Sequence, residues 1–106
     1  MVVVHCSFTI EENGPFQLSA KARLYDHDST NRSQMLYMEW HGLPPINQHM
    51  LSGQTCKFTL YFEPLPIACN VFNLQLTTHE NGSLAAIDVK RCSEDIYHVE
   101  LEVAPF

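Results

Sequence analysis

The feature that most constrains this chain is the strict alternation over residues 56–63, Cys-Lys-Phe-Thr-Leu-Tyr-Phe-Glu. Successive side chains of an extended chain point to opposite faces, so a period of two buries one side of a strand and wets the other. Cys56, Phe58, Leu60 and Phe62 are expected inward; Lys57, Thr59, Tyr61 and Glu63 are expected outward. Pro64 and Pro66 follow, and proline has no N–H to give to a neighbouring strand, so the ladder ends there.

The same period recurs along the chain. Val2, Val4, Cys6, Phe8 and Ile10 share a face, and so do Phe16, Leu18, Ala20, Ala22 and Leu24. The turn cluster at 11–15, with Asn13-Gly14 suited to positive φ, predicts that these two runs form a hairpin. A third strand over 35–40 is expected to bury Leu36, Met38 and Trp40. After the central strand come 71–78 with Phe72, Leu74 and Leu76 inward, 84–90 with Ala85, Ile87 and Val89, and 96–103 with Tyr97, Val99, Leu101 and Val103. Residues 46–51 read as a weakly patterned connection. About seven short strands with turn signals between them, and no convincing amphipathic helix, predict an all-β, two-layer antiparallel β-sandwich. At 106 residues the chain is read as a single domain, 1–106.

Composition narrows the function. Six Lys and Arg against twelve Asp and Glu give a net charge of −6. An acidic surface repels phosphate backbones, so nucleic-acid binding is not expected. No apolar run approaches the roughly 20 residues of a spanning helix, so membrane insertion is not expected either. The start of the chain lacks the positive region of a signal peptide. As it stands the chain reads as cytoplasmic; a surface or secreted place follows only if a leader has been trimmed. Cys6, Cys56, Cys69 and Cys92 form no Cys-x-x-Cys motif. Two readings stay open: four free thiols, or a bridge such as one between the inward Cys6 and Cys56 across facing sheets.

The segment Phe58-Thr-Leu-Tyr-Phe-Glu-Pro-Leu-Pro66, followed after four residues by Val71-Phe-Asn-Leu74, resembles a pattern in small bacterial immunoglobulin-like β-sandwich domains. There a strand ending in Phe-x-Pro-Leu-Pro turns into one carrying Phe-Asp-Leu. Leu43-Pro44 and Gly53 upstream are similar too, and the likeness covers about 35 residues, roughly 40–76. The chain departs from the pattern at Asn73, where aspartate is usual, and at Leu76, where an acidic residue is expected, so no carboxylate role is carried over. The resemblance implies an immunoglobulin-like sandwich and leaves the function to the residues.

Among those residues, Asp26-His27-Asp28 is the densest polar cluster and the weak candidate for a metal. Consecutive loop residues rarely converge on one ion without further ligands, so a solvated turn is the plainer reading and no cofactor is expected. His5 and His98 fall on the outward faces of terminal strands that could pair, where two imidazoles across a ladder can clamp a transition metal. His41 and His49 frame the proline-rich loop as rim residues. Catalytic patterns are lacking: no Gly-x-Ser-x-Gly, no His-Glu-x-x-His and no phosphate loop. Glu11, Glu12, Glu63 and Glu80 sit at strand ends, where carboxylates are solvated. Asn31 and Asn81 begin sequons in expected loops. Tyr25, Tyr37 and Tyr61 belong to three strands and face away from the expected core, which suits an interface patch.

These features together predict a non-catalytic protein-binding or assembly module, with a protein partner or self-association. The alternatives are a carbohydrate- or metal-binding module of a surface protein, using loops at 26–28 and 79–81, and a small hydrolase.

Overall fold

The computed structural model describes the backbone of residues 1–11, 14–16, 18–41, 48–78 and 83–103, and the side chains of 1–11, 21–41, 50–77 and 83–103. The strands are β1 (Val2–Thr9), β2 (Gly14–Phe16), β3 (Leu18–Asp26), β4 (Arg32–Trp40), β5 (Gln48–Met50), β6 (Thr55–Phe62), β7 (Val71–Thr78), β8 (Ser83–Lys90), β9 (Ile96–Glu100) and β10 (Glu102–Val103). The all-β expectation holds: there is no helix among the described residues, and so none long and apolar enough to cross a membrane.

Among the described residues, eight strands form one sheet in the order β10-β8-β7-β3-β4-β6-β1-β9, while β2 pairs with β5 in a separate ribbon. The two edge strands of the large sheet, β10 and β9, are consecutive in the chain and separated only by Leu101. The sheet must therefore curl until its edges nearly meet. It forms one continuous sheet almost closed into a barrel, not two clearly separate layers.

Two segments carry the curl by changing neighbours along their length, as corner strands do. β4 pairs with β3 at Arg32, Ser33 and Gln34, then with β6 from Met35 to Trp40. The last segment pairs with β1 over 96–100 and with β8 at Glu102 and Val103. Across the interior, the rings of Phe72 on β7 and Tyr97 on β9 meet edge to face at 5.0 Å.

The alternation of the central strand is reproduced: Phe58, Leu60 and Phe62 are fully buried, and Cys56 is nearly so. Each such side chain contributes about 1.5–3 kcal/mol on leaving water. β1 buries Val2, Val4, Cys6, Phe8 and Ile10, as expected, and β7 buries Phe72, Leu74 and Leu76.

Several expectations need correction. Val103, expected inward with Tyr97, Val99 and Leu101, is 57 % exposed, because the last segment leaves β1 after Glu100 and pairs with β8 instead. The first two runs are not a hairpin: β1 lies between β6 and β9, and β3 lies between β4 and β7. The β1–β6 register sets Val2, Val4, Cys6 and Phe8 opposite Phe62, Leu60, Phe58 and Cys56. That match of inward apolar residues outweighs the closeness in sequence of the first two runs. Leu36 is not inward but 57 % exposed, because the β4–β6 register slips between Met35 and Tyr37 and Met35 packs against the core instead. β8 departs from its expected phase as well: Leu84 and Ala86 are buried beside Ala85, and Ile87, expected inward, is exposed, while Val89 packs on the core as expected. Its register with β7 slips between Phe72 and Leu74, where Asp88 takes φ 57°. One inserted residue puts the stretches before and after it in opposite phase, so a single alternating pattern fits only one side of it.

All four cysteines are free. Cys6, Cys56 and Cys69 are buried and Cys92 is exposed. Burial pushes the Cys6 thiol up to about 12.

Candidate functional site

Strands β4, β6, β1 and β9 lie side by side, and their outward residues fall into rows. Glu39 faces Thr59, Thr59 faces His5, and His5 faces His98. One step along, Lys57 faces Ser7 and Ser7 faces Glu100, with the His41 N–H donating to the Lys57 carbonyl at 3.0 Å. One step the other way, Tyr37, Tyr61, Val3 and Ile96 form a third row.

Thr59 is the residue the alternation misplaces: it belongs to the outward face but is fully buried. His5 Nδ1 lies 2.8 Å from its hydroxyl oxygen, and His41 Nε2 lies 2.7 Å from the same atom. A threonine hydroxyl has one proton to give, so at least one of the two imidazoles must donate to it. The imidazole of His5 also stacks on that of His98, centroids 4.7 Å apart and planes 23° from parallel. The cross-strand meeting of His5 and His98 is therefore present. Beside it lies an open cleft of about 460 Å³ lined by His5, His41, Lys57, Phe58 and His98, among others.

A hydroxyl between two imidazoles has the parts of an activated nucleophile. The complete burial of Thr59 keeps substrate from it. Among the described residues, no group of three or more His, Cys, Asp or Glu side chains converges in a way that could hold a metal ion. Stacking accounts for this at His5 and His98, since ring nitrogens radiate within their own planes and not toward a shared point.

The Asp26, His27, Asp28 cluster diverges. The Asp26 carboxylate accepts from the Asp28 N–H at 2.9 Å and the Ser29 hydroxyl at 2.8 Å, a self-capping turn. The Asp28 amide and then Ser29 hold its carboxyl below the ordinary range. His27 instead reaches Asn73, with Nε2 2.6 Å from Oδ1, and Asp88 at 3.4 Å. The Asp88 N–H donates to the same Oδ1 at 2.9 Å, which identifies that atom as oxygen and gives His27 the proton on Nε2. Residues 79–81, the other loop considered for a ligand, lie outside the described residues.

Two of the three tyrosines come together. Tyr37 and Tyr61 are cross-strand partners with ring centroids 5.9 Å apart. Tyr25 pairs with Arg32, whose guanidinium sits 5.2 Å from its ring centroid. Tyr37 is five residues further along β4 than Arg32, which puts Tyr25 roughly 15 Å from the tyrosine pair.

A second polar network is structural. Arg91 holds both oxygens of Asp95, at 2.7 and 3.0 Å, and donates to the carbonyls of Pro66 and Cys69. The Tyr97 hydroxyl donates to Asp95 at 2.8 Å and accepts from the Cys92 N–H at 3.0 Å. Arg91 foremost, then Tyr97, holds the Asp95 carboxyl below its ordinary value, while burial chiefly pushes Tyr97 up to about 12.

No protein-family model matches this chain, and no curated protein or solved structure gives a significant match.

Proposed function

We propose that this chain is a non-catalytic protein-binding module that meets its partner on the outer face of β4, β6, β1 and β9. The observation that carries the reading is the row Tyr37, Tyr61, Val3 and Ile96, in register across four strands. Tyr37 is 59 % and Ile96 46 % exposed. Tyrosine and aliphatic side chains supply contact area at interfaces with little ordering cost, and the neighbouring histidine and Lys57 rows give a polar rim.

The size of the face sets the kind of partnership. Four strands about 4.8 Å apart and a run of about seven residues cover roughly 400 Å². A patch of that footprint is at the small end of specific interfaces, which suits a short-lived contact with another protein or with a second copy of this chain. The buried Thr59 hydroxyl and the divergence of Asp26 and His27 favour this reading over a hydrolase or a metal-binding module. An immunoglobulin-like sandwich, distorted by its two corner strands, is part of the same proposal and rests on the sequence resemblance.

The test is a partner recovered by the wild-type chain. The reading expects it to be lost with Tyr61→Ala and Tyr37→Ala and kept with Tyr25→Ala. Equal recovery by all three variants contradicts it.

A further inference from the structure

The near-closure of the sheet leaves a seam. β10 pairs with β8 only at Ala85 and Leu84. Beyond those residues β8 has no pairing on that side among the described residues, and Asp88 sits at φ 57° in the bulge, its N–H donating to the Asn73 side chain. On the other side, β9 is drawn toward β1, and the Leu101 N–H donates to the Ser7 carbonyl at 2.7 Å. Among the described residues, neither β8 beyond the bulge nor the outer edge of β9 pairs with a strand on the side facing the seam. A cleft of about 510 Å³ lies there.

Two chemistries line this cleft. Ala86, Val89 and Val99 are apolar, while Asp88, Glu100 and Glu102 are exposed carboxylates. Unpaired strand edges bind extended peptides through main-chain hydrogen bonds, with alternate side chains reading the two faces. A net charge of −6 draws a cationic partner toward such a site.

The geometry points to strand addition: the seam between β8 and β9 takes an extended segment of another protein that alternates apolar and cationic side chains. Apolar side chains would lie on Ala86, Val89 and Val99, and lysine or arginine would meet Asp88, Glu100 and Glu102. This goes beyond the outer-face reading and does not depend on it, because no residue of the tyrosine row lines the seam.

The test uses a labelled octapeptide alternating valine and lysine, with a valine–glutamate octapeptide as control, titrated into the full chain. Fluorescence polarisation reads affinity, and amide hydrogen exchange reads location. The expected result is salt-sensitive binding of the lysine peptide only, with slowed exchange over 87–90 on the β8 side of the seam. Glu100→Gln with Glu102→Gln, both at exposed positions, should weaken binding roughly tenfold. Absence of lysine-peptide binding, equal binding of the glutamate peptide, or binding without protection at the seam overturns the assignment. Tyr61→Ala should leave peptide binding unchanged, which separates this site from the outer face; a loss of binding there also overturns it.

Discussion

His5 Nδ1 and the Thr59 hydroxyl, 2.8 Å apart across the β1–β6 ladder, form the polar centre of an otherwise solvent-facing sheet surface. His41 joins them from the end of β4, so three strands are tied at one oxygen atom. Thr59→Val removes that oxygen while nearly keeping the shape. It should lower unfolding free energy by about 1–3 kcal/mol, the cost of losing a buried hydrogen-bonding group. Thr59→Ser should lose less, because it keeps the oxygen. Urea denaturation of the two variants measures the difference.

Stability should fall at both extremes of pH, for different groups. Cys6 and Tyr97 are each held up to about 12, so folding favours their neutral forms. Their contribution is complete below the ordinary values of these groups and fades as pH rises from about 9 through 12. Asp95 and Asp26 are held below the ordinary carboxyl range, so their contribution is complete above that range and is lost as pH falls through the lowered values. Denaturation midpoints should therefore drop steeply above pH ~9 in the wild-type chain and less steeply in Tyr97→Phe. Asp95→Asn should flatten the acid limb.

The thiols should separate into two classes. Cys92 is exposed, and contact with the Ile96 backbone foremost lowers its thiol below the ordinary value. Cys6, Cys56 and Cys69 are buried and pushed up, chiefly by burial. A thiol-specific chromogenic reagent at neutral pH should titrate one group quickly and the other three only on unfolding. Cys92→Ser should remove the fast phase. Fast reaction of two or more thiols in the folded chain contradicts this burial pattern.

The strands were legible because each buried face is written in a period of two. β1, β6 and β7 follow it without exception on the inward side. What periodicity does not carry is which strands are neighbours. His5, Thr59, His41 and His98 come from four places in the sequence and meet only because β9, β1, β6 and β4 lie in that order. Thr59 therefore read as a wet-face residue. Bulges hide for a related reason. The slip at Leu36 and the one at Asp88 each depend on a partner strand, and in the second the partner's Asn73 side chain caps the inserted residue. Curling is equally invisible, since it rests on two segments that change neighbours part-way along.

The central claim is that partners dock on the outer face of β4, β6, β1 and β9. A photo-crosslinking amino acid placed singly at Tyr37, Ile96 or Lys21 in the chain expressed in its native host tests it most directly. Tyr37 and Ile96 belong to the proposed face, and Lys21 is exposed on β3, which is not one of its four strands. The account predicts discrete protein adducts from the first two positions, abolished by Tyr61→Ala, and none from Lys21. Adducts from Lys21 alone, or none from either position on the face, would contradict it.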